Sequence, residues 1–170
     1  MGKRYWLMKS EPSAYSIDDL KRDGSTLWDG VRNYQARNLM REMRVGDQAL
    51  FYHSNAEPPA VVGTMEISGA AEPDPTQFDS GDSHYDPKAT LANPVWFGVR
   101  VRFKSKLNKP VSLQLIKEHR ALRNMVLVNR SRLSVQPVSE QEFKIITGLG
   151  SPRSATSCCI ASPARHALTA

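Results

Sequence analysis

The sequence predicts a single α/β domain of the mixed α+β type, in which about five or six strands form a closed or nearly closed barrel with short flanking helices. The length of 170 residues suits one ordinary domain. The composition, 40% hydrophobic and 24% charged, is typical of a globular protein. Strand-like and helix-like segments alternate irregularly along the chain, which favours a mixed architecture over a purely helical or purely β one.

The N-terminal segment is predicted to contain a strand, a helix and a connection. Residues 4–9 are short and rich in aromatic side chains, which indicates a core strand. Ser16, followed three residues later by Asp19, resembles a capping box and predicts a short helix that ends at Gly24. Residues 27–33 contain Trp, Gly and Asn and are predicted to form a connection.

The next part of the chain predicts a helix, a hairpin and a long loop. Residues 34–43 place apolar side chains on one face, as an amphipathic helix does. Residues 48–52 and 60–67 are predicted to be two strands of a hairpin. Residues 72–94 are rich in Pro, Asp, Gly and Ser, and a connection of this length inside a compact domain is either functional or mobile.

The last third of the domain predicts one alternating strand and two capped helices. Residues 95–103 alternate between apolar side chains and outward Arg100 and Arg102, which indicates a half-buried strand. Residues 112–118 and 139–147 are predicted helices, with 133–138 extended between them, and Ser139 with Glu142 forms a second capping box. The predicted domain is 1–150, and 151–170 is expected to be a disordered tail because it has no acidic and few apolar side chains.

Charge is distributed unevenly along the chain. Residues 95–132 contain ten Lys or Arg and one acidic residue, Glu118, whereas residues 46–94 contain eight acidic residues and one basic residue, Lys88. The net charge of the chain is +6. This pattern predicts a polarised molecule whose basic face attracts phosphate groups without reading a base sequence.

The sequence gives little support for catalysis, a metal site or a cofactor. The four histidines, at positions 53, 84, 119 and 166, have no ligand spacing, and the two cysteines are the adjacent pair Cys158 and Cys159. No phosphate-binding glycine loop and no apolar run of membrane-spanning length is present. We therefore expect a non-enzymatic, monomeric, cytoplasmic protein that binds no cofactor and does not associate with a membrane.

Aromatic and amide side chains are concentrated in the predicted connections, Trp28 and Trp96 among them. A single tryptophan most often belongs to the core. A set of aromatic rings with amides nearby, however, is what holds a nucleobase, because the rings stack on the base and polar groups bond its edge.

Five sequence strings resemble the EVE domain family. They are YWLMKSEP at 5–12, WDGVRNYQARN at 28–38, LFYHSN at 50–55, PDPTQF at 73–78 and RLSVQPV at 132–138. The resemblance implies a PUA-like pseudo-β-barrel related to the YTH domains, which hold N6-methyladenine in an aromatic cage. It extends from about residue 3 to residue 149, so the tail lies outside it.

The resemblance also implies site residues. The pocket is expected between the end of the first strand and the Trp28 loop, with residues 85–88 and Trp96 closing over the ligand. The implied ligand-binding residues are Lys9, Ser10, Glu11, Trp28, Asn33, Tyr34, His53, Ser54, Asn55, Tyr85 and Trp96. The expected phosphate-binding residues are Arg32, Arg37, Lys88, Arg100, Arg102 and Lys104.

The function that these observations predict is binding of DNA, RNA or a nucleotide through one modified base. Two alternatives remain open at this point. One is an enzyme that acts on modified nucleotides or RNA with His53 or Glu11 as general acid or base. The other is a structural protein whose own side chains fill the Trp28 pocket. The sequence leaves open whether the base is 5-methylcytosine, 5-hydroxymethylcytosine or N6-methyladenine, and whether the polymer is DNA or RNA.

Overall fold

The computed structural model describes residues 2–151 and confirms a mixed α+β domain. Its strands are β1 (Tyr5–Ser10), β2 (Ser25–Trp28), β3 (Gln48–His53), β4 (Ala60–Ile67), β5 (Glu72–Pro73), β6 (Phe97–Ser112) and β7 (Val135–Val138). Its helices are α1 (Ile17–Asp23), α2 (Tyr34–Glu42), α3 (Leu113–Glu118), α4 (Val126–Asn129) and α5 (Glu140–Gly150), with 3-10 turns at Pro75–Phe78 and Arg120–Leu122. None of the helices in residues 2–151 has the length and apolar character needed to span a membrane. All but the first residue of the predicted tail lies outside the described residues.

The strands form one sheet in the order β2-β6-β4-β3-β1-β7, with β5 paired to β6. β1 and β3 are parallel, and the other neighbouring strands are antiparallel. Among the described residues β2 and β7 are not paired to each other, so the hydrogen-bonded sheet does not close into a barrel. The sheet has seven strands rather than the expected five or six, and two of them, β2 and β5, are short.

Both capping boxes form as the sequence predicts. The Ser16 hydroxyl accepts a hydrogen bond from the Asp19 backbone, and the Asp19 carboxylate accepts one from the Ser16 backbone. Ser139 and Glu142 make the same reciprocal pair at the start of α5. These contacts lie within one turn, so local sequence is sufficient to specify them.

Two strands differ from the sequence prediction. Residues 25–28 form β2, so the first two residues of the connection predicted at 27–33 are strand, because they pair with β6. β6 continues beyond 103 to Ser112, because its polar second half pairs with β4. Both strands are held by partners distant in the chain, which a local pattern does not reveal.

The sheet is buried on both faces. Along β1, Trp6 and Met8 belong to one apolar cluster, while the intervening Leu7 belongs to the other. The same alternation occurs in β3, where Phe51 faces the first cluster and Leu50 the second. Helices therefore cover both faces, and the central strands are apolar throughout.

The long loop before β6 is closed by hydrogen bonds around a buried amide. Gln77 is fully buried, and its Nε2 donates to the carbonyls of Asp74 and Trp96 at 2.7 and 2.8 Å. Its Oε1 accepts from the N–H groups of Val95 and Trp96. One side chain thus ties the beginning of this loop to its end.

Two glycine substitutions should have opposite effects on stability. A Cβ at Gly98 would lie 2.6 Å from the Trp28 carbonyl oxygen, so Gly98→Ala should destabilise the fold by about 1–3 kcal/mol. A Cβ at Gly148 in α5 meets nothing within 4 Å, so Gly148→Ala should stabilise it by roughly 0.5–1 kcal/mol. Urea unfolding of both variants checks this pair, and a stable Gly98→Ala protein would contradict the close approach of β2 and β6.

Candidate functional site

A cavity of about 440 Å³ opens where the ends of β1 and β2 meet four connecting segments. We call it the β1–β2 pocket. Its volume lies in the range of sites that enclose small organic ligands. The residues that line it are Lys9, Ser10, Ala14, Tyr15, Thr26, Leu27, Trp28, Asp29, Gly30, Val31, Arg32, His84 and Ser134.

Trp28 is a buried wall of this pocket. It is the last residue of β2, not part of a loop as the sequence predicted, and its side chain packs edge-on against Phe51 with ring centroids 5.2 Å apart. Only 7% of Trp28 is exposed. The ring therefore belongs to the core and presents a small part of its surface to the pocket.

Asp29 follows Trp28 and places a carboxylate at the pocket. Burial of this group and the nearby negative charge of Asp74 raise the pKa of Asp29 above its ordinary value. Within residues 2–151 the Asp29 carboxylate accepts no hydrogen bond from another residue. It is the acidic side chain of the pocket lining, and its oxygens are available to a ligand N–H.

Asp74 fixes the wall that carries Asp29. This fully buried carboxylate accepts hydrogen bonds from Gly30 N–H, from an Arg32 Nη1 and from both the backbone and the hydroxyl of Thr76, at 2.6–2.8 Å. Burial opposes ionisation of Asp74, but these hydrogen bonds outweigh it and lower the pKa. The carboxylate is therefore charged and pairs with Arg32 in the folded protein.

Arg32 uses its whole guanidinium to hold the pocket rim. Besides Asp74, it donates to the Thr76 hydroxyl, to the Val31 carbonyl and twice to the His84 carbonyl, at 2.7–3.0 Å. These contacts occupy all five guanidinium N–H groups. Gly30, with φ of 73°, allows the His84 ring to approach, because a Cβ there would lie 3.1 Å from it.

The opposite wall comes from β1 and the segment before β7. The Lys9 N–H donates to the Ser134 carbonyl at 2.9 Å, and the Lys9 ammonium donates to the Ser131 carbonyl. Burial lowers the pKa of Lys9. Ser10 donates to the Tyr15 carbonyl at 2.7 Å. Burial, with the hydrogen bond to Asp23, raises the pKa of Tyr15 to about 12, so its hydroxyl stays protonated.

The structure brings together part of the predicted site. Lys9, Ser10, Trp28 and Arg32 line the β1–β2 pocket. Sequence reasoning missed Asp29, although this residue lies inside the WDG string. It also missed Tyr15, His84 and Ser134, which line the pocket from other segments of the chain. The predicted ligand-binding residues outside the lining are Glu11, Asn33, Tyr34, His53, Ser54, Asn55, Tyr85 and Trp96.

Some of these outer residues form a separate cluster beside α2. Asn33 caps this helix by accepting from Ala36 N–H at 2.9 Å. Tyr34 packs on Trp96 with centroids 4.8 Å apart, and the Trp96 indole donates to Asp86 at 2.7 Å. The guanidinium of Arg37 lies over the ring of Tyr34. Trp96 is thus an anchor for the long loop, buried outside the lining of the pocket.

His53 and Glu11 make contacts that concern local structure. The His53 Nε2 accepts a hydrogen bond from Ile17 N–H at 3.1 Å. Burial, together with the positive charge of Lys106, lowers the pKa of His53. The Glu11 carboxylate accepts a long 3.4 Å hydrogen bond from Asn55. Among residues 2–151 no three His, Cys, Asp or Glu side chains are grouped to hold a metal ion.

The basic face of β6 is paired with acidic residues. Arg102 and Lys104 contact Glu66 at 2.6 and 3.2 Å, and Arg100 contacts Glu72 at 3.3 Å. Antiparallel pairing of β4 with β6 places Glu66 opposite Arg102. Acidic side chains therefore neutralise part of the positive charge on this surface. The molecule is less polarised than the sequence predicts. Of the other predicted phosphate ligands, Arg37 donates to the Val95 carbonyl, and Lys88 is exposed.

Comparison with known proteins identifies relatives of this fold. The EVE domain family matches residues 4–149. Human thymocyte nuclear protein 1 is 43% identical over 164 residues, covering 85% of this chain and 73% of that protein. A hypothetical protein from Leishmania major has a structure with a TM-score of 0.85 at 45% identity, covering 88% and 95% of the two chains. The crystal structure of the human THYN1 protein in complex with DNA containing 5-methylcytosine gives a TM-score of 0.83 at 42% identity, covering 88% and 99%.

Replacing Trp28 should mainly affect folding. Because the ring is 7% exposed and packs on Phe51, Trp28→Ala should cost about 3–5 kcal/mol of stability. Trp28→Phe keeps an aromatic contact and should cost less. Chemical denaturation of the two variants measures the difference, and a Trp28→Ala protein as stable as wild type would show that the ring is not a core element.

His53 should make stability depend on pH. Its pKa is lowered below 6.5 in the fold, so the neutral ring is favoured and its contribution is complete above about pH 6.5. That contribution is lost as the pH falls from 6.5 through the lowered pKa, because the unfolded chain then binds the proton more readily. Asp18 and Lys106 are the charged groups that act on the ring.

Thermal melts of wild type and His53→Gln between pH 5 and 8 test this expectation. The Gln carbonyl can still accept from Ile17 N–H but does not titrate in this range, so the variant's Tm should fall less steeply below pH 6.5. His84→Gln shows whether any flattening is specific to His53. Parallel pH profiles for wild type and His53→Gln would contradict the assignment.

Proposed function

Because the chain belongs to the EVE domain family, we propose that it reads a modified base in nucleic acid by taking that base into the β1–β2 pocket. The proposed ligand is 5-methylcytosine in DNA. The observation that carries the proposal is the Asp29 carboxylate, which accepts no hydrogen bond from another described residue and lies beside Trp28 in a cavity of about 440 Å³. The human relative whose structure contains 5-methylcytosine DNA supports this choice of ligand.

The Asp29 carboxylate favours bases that carry an exocyclic amino group. Cytosine presents its N4 amino group as a donor, and a carboxylate is a suitable acceptor for it. Thymine and uracil present an O4 acceptor at that position, which an ionised carboxylate repels. A good contact of this kind contributes about 1–3 kcal/mol of discrimination between bases.

Apolar walls supply the preference for the methyl group. Leu27, Val31 and the exposed part of Trp28 line the pocket together with Tyr15. Burying one extra methyl contributes about 0.8 kcal/mol, or roughly a fourfold preference for 5-methylcytosine over cytosine. The aromatic contact to the base comes from Trp28 and Tyr15 in this proposal, whereas the Tyr34–Trp96 pair supports the adjoining loop.

Binding without turnover is the mode that the side chains support. His53 and Glu11, the two acid-base candidates, are outside the pocket lining, and the His53 Nε2 lone pair already accepts from Ile17. A base in a duplex must leave the stack to enter a pocket, at a cost of a few kcal/mol, so single-stranded or mismatched DNA should bind more tightly.

A panel of oligonucleotides that differ at one central base tests the proposal. Wild-type protein should prefer 5-methylcytosine to thymine by at least about fivefold and to cytosine by roughly fourfold. Asp29→Asn should lose most of the preference over thymine, because an amide can donate to O4 as well as accept from N4. Asp79→Asn removes one negative charge from an exposed position outside the pocket and should leave base preference unchanged.

The same samples separate the other ligands. Equal wild-type affinity for the 5-methylcytosine and thymine oligonucleotides would contradict the assignment of the pocket. Tighter binding of N6-methyladenine, of RNA or of the free nucleotide would redirect it to that ligand. Mass spectrometry of the oligonucleotide after incubation should show no change in mass, and a new product would favour the enzymatic alternative.

A further inference from the structure

A second groove, of about 400 Å³, lies between the start of α2 and the turn that precedes β7. We propose that this groove binds the phosphate backbone next to the base held in the β1–β2 pocket, and this inference rests on the proposed function. Its lining includes Arg130 and Arg132, with Asn33, Gln35 and Ser131 as polar neighbours and no acidic side chain. We call it the Arg130–Arg132 groove.

The two arginines are free of acidic partners within residues 2–151, unlike Arg100 and Arg102 of β6. Within residues 2–151 the side chains of Arg130 and Arg132 make no ion pair or hydrogen bond, and both residues are exposed. Arg100 and Arg102, by contrast, are each paired with a glutamate. An unpaired guanidinium contributes its full charge to the local field, and its planar fork matches two phosphate oxygens.

Hydrogen bonds fix the backbone of the turn that carries Arg130 and Arg132. Gln136 is fully buried, and its Nε2 donates to the carbonyls of Leu133 and Arg130 at 2.8 and 3.3 Å. From the other side the Lys9 ammonium donates to the Ser131 carbonyl. A fixed backbone lowers the cost of binding, because only the arginine side chains and not the turn itself must be ordered by a ligand.

The groove and the base pocket share this same segment. Ser134 lines the β1–β2 pocket, while Leu133 and Arg132 line the groove. Lys9 lines the pocket and bonds the Ser131 carbonyl at the groove. A strand whose base occupies the pocket therefore has its adjoining phosphates beside Arg130 and Arg132.

Salt dependence of oligonucleotide binding tests the proposal with matched charge changes. The test pair is Arg130→Gln with Arg132→Gln, and the control pair is Arg100→Gln with Arg102→Gln. Affinity for single-stranded DNA, with and without 5-methylcytosine, is measured between 50 and ~200 mM salt. The test pair should flatten the slope of log K against log salt by about 1.4, at ~0.7 per lost contact, and the control pair should change it by much less.

The conservative pair Arg130→Lys with Arg132→Lys separates charge from folding. It should keep most of the slope, because lysine also neutralises a phosphate. Equal flattening by the test and control pairs, an unchanged slope in the test pair, or loss of slope in the lysine pair would each overturn the proposal.

The inference and the proposed function fail in different ways. If wild type binds both oligonucleotides equally, the base assignment is wrong, while flattening confined to the Arg130 and Arg132 pair still supports the groove. If base preference is intact but the test pair behaves as wild type, the phosphate groove is wrong and the base pocket stands. Absence of DNA binding by wild type overturns both.

Discussion

The buried carboxylate of Asp74 joins the separate segments from which the β1–β2 pocket is built. It holds Gly30 and Arg32 of the segment after β2 to Thr76 of the long loop, and Arg32 extends the connection to the His84 carbonyl. A buried charge is costly unless it is paired and fully hydrogen-bonded, and these donors meet that requirement. Burial raises the pKa of Asp29, and the negative charge of Asp74 adds to this effect, so the group that holds the segment in place also influences the charge of the proposed base contact.

The parts of the fold that the sequence predicts are those specified within a few residues. The capping box of Ser16 and Asp19, the helix stop at Gly24 and the bounds of β4 are confirmed because side-chain type and spacing determine them locally. β2 is not predicted, and its last two residues fall in the predicted connection, because this segment becomes a strand only when β6 lies beside it. The polar half of β6 was missed for the same reason, since pairing with β4 rather than burial keeps it extended.

The candidate site follows the same division. Lys9, Ser10 and Trp28 were located from the family resemblance, whose strings lie at the ends of β1 and β2. Asp29 carries no signal of its own in the sequence, because an acidic residue before a glycine is equally typical of an ordinary turn. Its importance arises from its burial beside Asp74, forty-five positions away, and from a carboxylate that accepts no hydrogen bond from another described residue. Trp28 both lines the pocket and packs against Phe51, because the two are not exclusive for a side chain of this size.

Electrostatics gives the clearest case in which the fold changes the meaning of the sequence. Summed along the chain, residues 95–132 are strongly basic and residues 46–94 strongly acidic. β4 lies in the acidic segment and β6 in the basic one. Their antiparallel pairing therefore places Glu66 beside Arg102 and weakens the positive potential of that face. Such exposed pairs contribute little to stability, about 0–1 kcal/mol, but each glutamate still cancels a nearby positive charge. Among the described residues, Arg130 and Arg132 on the turn before β7 keep their charge without an acidic partner. Phosphate attraction is therefore set less by how many basic residues a segment contains than by which of them the sheet leaves without an acidic neighbour.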